Sequence, residues 1–223
     1  MIQRSLDALG GRRYLELGVK DGACFHALEA DTKVGVDPRF AFRLPFLARA
    51  RAALGARSGT LYFPTTSDAF FERHGRRLAP FDVVFVDGLH TYEQAYRDVR
   101  NALAVLRPGG VVLVHDCNPQ TAAAAAPSLT EAARTDGFTG DWNGDVYRAI
   151  VRLRTDDGLD VSVLDADQGV GVVRRGTHAW RVAHTVEEIE QLDYAELERD
   201  RVRLLGLRPA SDLDALLAPR AGH

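Results

Sequence analysis

Ionisable side chains follow two apolar segments of this sequence, at positions where strands would end. One strand-like run leads into Asp87 and then His90, and a second leads into His115 and Asp116. Histidine gains and loses a proton near neutral pH, so it suits general acid–base work. Two histidines at neighbouring strand ends are poor candidates for core packing. We therefore expect at least one of them to face a bound reactant.

The elements that must position these side chains alternate along the chain. The predicted strands are Arg13–Leu17, Lys33–Val36, Thr60–Phe63, Phe81–Val86 and Val111–Val114, and the predicted helices are Gly22–Ala30, Leu44–Leu54, Ser67–His74 and Thr91–Leu106. Such alternation predicts an α/β fold, with a parallel sheet covered by helices on both faces.

The rhythm changes after Pro119. A helix is predicted over Asp145–Arg154, and two further strands, Leu159–Leu164 and Gly169–Arg174, are too close in sequence for a parallel crossover. They predict a C-terminal antiparallel hairpin, which brings the mostly parallel sheet to seven strands. A helical tail follows, and Thr185 and Asp193 are its expected caps.

Other polar and glycine residues also come at predicted strand ends, where open α/β sheets bind ligands. They are Glu16, Gly18, Gly22, Asp37, Ser67, Asp68 and Asp87. Glycines let a backbone approach a ligand closely, and Asp37 follows Glu16 by about twenty residues, the spacing of a ribose-binding acid. This acidic set favours a nucleoside that carries positive charge over a pyrophosphate.

The composition of the chain indicates which classes of partner are to be expected. A net charge of −3 and a pI near 6.2 give no basic footprint for nucleic acid. No apolar run approaches the roughly 20 residues needed to span a bilayer, so we expect no membrane partner. The N-terminus has no apolar signal region, and two cysteines are too few for a disulfide framework. A cytoplasmic protein is predicted.

Four segments in order carry a family resemblance: ELGVKDG, VGVDP, FDVVFVDGLHTYE and LRPGGVVLVHD. Together they resemble the motifs of class I S-adenosylmethionine (SAM)-dependent methyltransferases. VDGLHTYE followed by HDCNP is similar to the family 24 branch, which acts on sugars and other small molecules. The resemblance covers roughly residues 11–175 and implies a doubly wound Rossmann-like sheet. One departure is the glycine-rich motif, which is reduced to Gly18 and Gly22.

The resemblance implies a role for each candidate residue. Glu16, Gly18, Gly22, Asp37, Ser67, Asp68 and Asp87 would bind SAM, and His90, His115 and Asp116 would align a small polar acceptor and remove its proton. O-methylation of a sugar or natural-product hydroxyl is therefore expected. Simpler alternatives are a helix cap for Ser67 and Asp68, and a cap for Asn143 or Asp145 in the loop where Trp142 could wall the acceptor pocket.

A divalent metal is the rival account of the acidic strand ends. In the resembling O-methyltransferases, oxygen ligands hold Mg²⁺ there, which would make Asp87 and Asp116 the ligands. A hard cation prefers several oxygens, and the neighbours of Asp116 are His115, Cys117 and Asn118. A magnesium site is therefore less favoured than metal-free roles for Asp87 and Asp116.

Two other functions compete. A nucleotide-dependent oxidoreductase would use a similar sheet, but the G-x-G-x-x-G motif is missing. A non-catalytic SAM-binding protein is the third alternative, which the intact histidines disfavour.

The predicted domain organisation is a methyltransferase domain, residues 1–176, and a helical C-terminal extension, residues 177–223. The extension carries many leucines. They predict either an additional helical layer on the same chain or, with slight preference, a homodimer.

Overall fold

The computed structural model describes residues 1–177 and 180–218, which form an α/β fold around a mostly parallel sheet. The strands are β1 (Arg13–Leu17), β2 (Thr32–Val36), β3 (Gly59–Phe63), β4 (Phe81–Val86), β5 (Leu106–Val114), β6 (Leu159–Asp165), β7 (Val170–Arg175) and β8 (Leu207–Pro209). Their order is β3-β2-β1-β4-β5-β7-β6-β8. The sheet therefore has eight strands, and the predicted seven is wrong by one.

The helices are α1 (Ile2–Ala8), α2 (Ala23–Ala27), α3 (Phe46–Ala53), α4 (Ser67–Phe70), α5 (Arg76–Leu78), α6 (Tyr92–Val105), α7 (Leu129–Ala132), α8 (Val146–Leu153), α9 (Val186–Gln191), α10 (Tyr194–Leu205) and α11 (Leu213–Leu217). A π-helical turn, Phe71–Gly75, joins α4 to α5, so the single helix predicted for Ser67–His74 is in fact segmented. Within the described residues, no helix has the length and apolar character needed to cross a membrane.

The chain divides into two compact units, and the first comprises Met1–Gly88, Arg100–Leu113 and the stretch from Leu213. In it, β1 pairs in parallel with both β2 and β4, and β2 pairs with β3. Every residue of β4 is buried. That burial is the reason why the strand, apart from Asp82, is apolar on both faces, as expected of a central parallel strand.

The second unit comprises Leu89–Val99 and Val114–Asp212. Its β6 and β7 pair antiparallel, with Val161 opposite Val173, which confirms the predicted hairpin. The unpredicted eighth strand, β8, pairs in parallel with β6, and Leu207 lies opposite Val163. A strand of three residues that includes Pro209 is too short to show an alternating pattern, so the sequence did not reveal it.

Most leucines of the predicted extension are buried. Leu197 and Leu205 on α10 are 0% exposed, and Leu213 on α11 is likewise 0% exposed. In the first unit, Arg4 of α1 pairs with Asp214 of α11 at 2.8 Å. The tail therefore packs on its own chain, the first of the two alternatives, and the homodimer stays a prediction. The predicted boundary between the methyltransferase domain and the extension lies at 176–177. The next two residues, 178 and 179, are outside the described residues.

Candidate active site

The first unit gathers its predicted ligand residues at one set of strand ends. Leu17, the last residue of β1, pairs with Val36 of β2 and with Val86 of β4. The residues that follow these three strands are Gly18, Asp37 and Asp87, and Glu16 is the neighbour of Leu17 within β1. We call Glu16, Gly18, Asp37 and Asp87 the donor edge.

Gly18 has a structural reason to be glycine. Its φ is 86°, and its N–H donates to the carbonyl of Val36 at 2.9 Å. A Cβ at this position would lie 1.9 Å from the carbonyl oxygen of Asp87. The segment after β4 therefore crosses so close to the turn after β1 that no side chain fits, whether or not a ligand also approaches.

Asp37 organises the turn that follows β1. It is buried, and one carboxylate oxygen accepts from the N–H of Lys20 at 2.8 Å while the other accepts from the N–H of Arg39 at 2.6 Å. Lys20 has a φ of 51°, an unfavourable backbone conformation that this hydrogen bond helps to hold. Each oxygen of an ionised carboxylate accepts more than one hydrogen bond, so Asp37 keeps capacity for ligand hydroxyls.

Glu16 is a buried acid, only 1% exposed, and the hydroxyl of Tyr14 donates to it at 2.5 Å. Burial raises the pKa of Glu16 to about 8; the nearby charges of Asp87 and Asp37 also raise it, while the Tyr14 hydrogen bond and Lys33 lower it. Glu16 is therefore mostly protonated at neutral pH. A cationic ligand at the donor edge would favour its ionised form.

Ser67 and Asp68 lie half-buried in the first turn of α4. The alternative that they cap this helix is wrong by one residue, because the cap is Thr66, whose hydroxyl accepts from the N–H of Ala69 at 3.3 Å. Gly22 is buried directly before α2. Roles in cofactor binding for Gly22, Ser67 and Asp68 stay predictions.

The second unit brings both predicted histidines to one carboxylate. His90 Nε2 lies 3.2 Å and His115 Nδ1 3.3 Å from the same oxygen of Asp116. Asp116 is 5% exposed and has a φ of 61°. An uncommon backbone conformation at a buried, doubly contacted carboxylate is typical of a functional site. We call His90, His115, Asp116 and Asn143 the histidine cluster.

The ring of His90 is fixed from two sides. Its Nδ1 lies 3.0 Å from the carbonyl oxygen of Trp142, and the Trp142 indole stacks on it with centroids 5.2 Å apart. In the neutral ring, a proton on Nδ1 donated to that carbonyl leaves Nε2 as the proton acceptor. Once Nε2 is protonated, Asp116 is placed to stabilise the imidazolium.

His115 is held less firmly. Its Nε2 lies 3.5 Å from a carboxylate oxygen of Asp167, which is in the turn between β6 and β7 and whose side chain is 82% exposed. An exposed partner is screened by water and holds a ring weakly. The carbonyl and stacking contacts of Trp142 therefore fix the ring of His90 more firmly than the exposed Asp167 fixes that of His115.

Asn143 is a site residue that the sequence did not identify as one. It is 1% exposed, and its Nδ2 donates to the second carboxylate oxygen of Asp116 at 2.6 Å. Asp145 stands at the N-cap position of α8, as one alternative predicted, but its side chain makes no cap hydrogen bond there and instead accepts from the N–H of Tyr92, at 2.6 Å, at the start of α6. The sequence shows a polar loop before the predicted helix, and this loop contains Asn143 and Asp145. Nothing in the sequence indicates which distant residues they contact.

Gly144 lets the loop containing Asn143 pass against His90. Its φ is 65°, and a Cβ there would lie 1.7 Å from the carbonyl oxygen of His90. One short loop, residues 142–145, therefore contacts His90, Asp116 and the start of α6.

The tail helix α10 holds the segment that follows Asp116. Arg201 donates to the side-chain oxygen of Asn118 at 2.5 Å and to the carbonyl of Pro119 at 2.7 Å. Tyr194 donates its hydroxyl proton to the carbonyl of Gln120 at 2.7 Å. Residues 118–120 are therefore anchored by side chains 74 to 83 positions later in the chain.

The groups around Asp116 fit magnesium poorly. Within the second unit they present two imidazoles and a carboxamide N–H, and the thiol of Cys117 is buried against the carbonyl of Val114. Mg²⁺ prefers oxygen ligands in octahedral geometry. The metal role of Asp87 and Asp116 stays a prediction.

Comparisons with known proteins agree with this architecture. The methyltransferase of Podospora anserina, solved with S-adenosylhomocysteine (SAH) bound, is similar in fold at 16% identity and a TM-score of 0.53, over 78% of this chain and 76% of that one. A Staphylococcus aureus structure, named as a candidate caffeoyl-CoA O-methyltransferase, has a TM-score of 0.54 at 12% identity over 78% and 81% of the two chains. No curated protein sequence matches the chain.

A family model matches part of the chain directly. Residues 15–117 match the family 24 model of a methyltransferase domain. This range contains the whole donor edge as well as His90, His115 and Asp116, and the similar solved structures share the fold. The resemblance predicted from the four sequence motifs is confirmed by this match, which makes residues 15–117 similar to a methyltransferase domain of family 24.

Proposed function

We propose that the protein is a SAM-dependent methyltransferase that methylates a hydroxyl group of a small polar acceptor, such as a sugar or natural product. The observation that carries the proposal is the fixed His90 ring beside buried Asp116, in a chain with a methyltransferase domain. A carboxylate next to an oriented imidazole is an arrangement that supports proton abstraction.

The donor edge has the chemistry to hold SAM. Asp37 would accept hydrogen bonds from the ribose hydroxyls, and Ser67 with Asp68 would contact the adenine. Glu16 supports the assignment because burial raises its pKa to about 8, and a cationic ligand beside it would favour its ionised form. When bound, SAM supplies a methyl group on a sulfonium that already carries its leaving group.

The remaining chemistry falls to the histidine cluster. His90 Nε2 would take the proton of the acceptor hydroxyl, while the Trp142 carbonyl keeps the other ring proton on Nδ1. Asp116 would stabilise the resulting imidazolium, with Asn143 holding its second oxygen. Correct alignment of the acceptor contributes the rest, since a positioned reactant replaces a bimolecular encounter.

The test has two steps. Isothermal titration should show binding of SAH and none of NAD; the reverse result would support an oxidoreductase. The protein is then incubated with SAM and a panel of sugar, phenol and polyketide hydroxyl acceptors, with and without EDTA. SAH formation that resists EDTA is expected. SAH binding without turnover across the panel would favour a non-catalytic binding protein. Turnover that is lost with EDTA and restored by magnesium would make Asp87 and Asp116 metal ligands.

The proposal also includes a cytoplasmic location and a homodimeric state. Burial of Leu197, Leu205 and Leu213 within one chain weakens the apolar argument for the dimer, which now rests on the exposed Val202 of α10. Light scattering of the full chain at micromolar concentration decides the oligomeric state.

A further inference from the structure

Helix α3, in the first unit, buries two of its alanines and exposes its large apolar residues. Ala48 and Ala52 are 9% and 7% exposed, whereas Phe46 and Leu47 are 81% and 75% exposed. Leu54, directly after the helix, is 86% exposed. At 3.6 residues per turn, Phe46, Leu47 and Leu54 fall within about 100° of one another on the outer side. This is the reverse of an ordinary surface helix, whose apolar side faces the core.

The same region is strongly basic. Residues 38–67 contain five arginines and no aspartate or glutamate, in a chain whose net charge is −3. Arg39, Arg43 and Arg51 are exposed. Arg77 adds a further positive charge beside the end of α3, where it donates to the carbonyl of Gly55 at 2.8 Å. We call Phe46, Leu47, Leu54, Arg39, Arg43 and Arg51 the α3 surface.

A depression of about 670 Å³ adjoins the α3 surface. Phe40, Phe42, Phe46 and Pro64 line it together with Arg43. An apolar group could enter it while an attached anion stays beside the guanidinium of Arg43. The chemistry that this region would recognise is therefore apolar and negatively charged at once.

Charge and shape select among the occupants of this surface. A second copy packed by two-fold symmetry would bring the same arginines face to face, which is unfavourable. The large side chains protrude at 75 to 86% exposure, with arginines around them, as in segments that lie on a membrane surface. We propose that the α3 surface binds anionic lipid headgroups and inserts Phe46, Leu47 and Leu54 among the acyl chains.

This peripheral binding goes beyond the proposed methyl transfer and does not depend on it. The sequence-based expectation of no membrane partner rested on the length of apolar runs, which bears only on spanning segments. Arginines near an anionic surface and inserted apolar side chains are the two independent contributions to such binding.

Vesicle flotation of the full chain tests the proposal. Vesicles of equal parts phosphatidylglycerol and phosphatidylcholine should bind the protein at least about tenfold more strongly than pure phosphatidylcholine, and added salt should weaken binding. Both the double variant Phe46→Ser/Leu47→Ser and the double variant Arg43→Glu/Arg51→Glu should lose at least about tenfold in binding, with Leu54→Ser as a milder third variant.

The matched control is Leu129→Ser/Arg134→Glu, which removes one exposed leucine and reverses one charge in the second unit. It should bind vesicles like the unmodified chain. Thermal unfolding followed by circular dichroism reports whether each variant is folded. Failure of the unmodified chain to float with anionic vesicles overturns the proposal. This holds even if the α3 surface proves to bind an acidic protein instead of lipid. Equal binding to both vesicle types, or equal loss in the control, also overturns it.

Discussion

Asp37 and Asp116 are both buried acids that follow strands, but they are held in different ways. In the first unit, the oxygens of Asp37 accept from backbone N–H groups, those of Lys20 and Arg39. In the second unit, Asp116 is contacted by side chains, the carboxamide of Asn143 and the two histidine rings. Backbone donors survive replacement of their side chains, whereas side-chain donors do not. The histidine cluster should therefore be more sensitive to mutation than the donor edge.

The largest expected effect is at His90. His90→Gln should lower kcat by roughly 10²- to 10⁴-fold, the range for loss of a general base, and leave SAH affinity unchanged. The measurement is SAH formation with an acceptor from the panel that is turned over. His115→Gln is the matched control and should cost less, because its ring is held by the exposed Asp167. Equal losses in the two variants would refute the assignment of His90 as the base.

Asp37→Ala comes next. Loss of charged hydrogen bonds to ribose should weaken SAH binding by about 1.5–3 kcal/mol, measured by isothermal titration. Arg39→Ala should stay within about twofold of the unmodified chain, because its backbone N–H is the group that contacts Asp37. If Arg39→Ala were as damaging as Asp37→Ala, the contrast between backbone and side-chain support would not hold.

Asn143→Leu tests the side-chain support of Asp116. We expect roughly a 10- to 100-fold loss of kcat with unchanged SAH affinity, since one hydrogen bond to a charged group is removed. In an Asp116→Asn background, the same substitution should add almost no further loss, because residues that act through one another are not additive. Independent, additive losses would mean that Asn143 does not act through Asp116.

The smallest effect concerns pH. Glu16, with its pKa raised to about 8, must release a proton before it can pair with a cationic ligand below that pH, and is already ionised above it. Affinity for SAM should therefore rise by up to about tenfold from about pH 7 to about pH 9. The Glu16→Gln variant corrects for titration of the ligand itself. A rise that is identical in both proteins would exclude Glu16 as its source.

Features with local causes could be predicted from the sequence. The buried strand β4 has the bounds that its apolar run indicates, and α10 begins at the capping box of Asp193 with Glu196 and ends at Gly206. The donor edge is also largely local, because parallel strands bring their last residues to one side. Adjacent residues in the sequence therefore sufficed to name Glu16, Gly18, Asp37 and Asp87.

Contacts between distant segments could not be predicted in the same way. The hydrogen bond from Asn143 to Asp116 spans 27 positions, and that from Tyr92 to Asp145 spans 53. Which loop residue meets which strand end depends on the path of the whole loop, which has no periodic pattern to indicate it. The histidines were therefore predicted, but the loop that orients them was not.

The anchoring of residues 118–120 by α10 bears on how this enzyme would diversify. Arg201 and Tyr194 hold a segment next to the histidine cluster, and neither belongs to the donor edge. Under the proposed function, drift in the tail would therefore reshape the surroundings of the acceptor while the donor edge is inherited unchanged. A lineage could change what it methylates through a helix that takes no part in the chemistry.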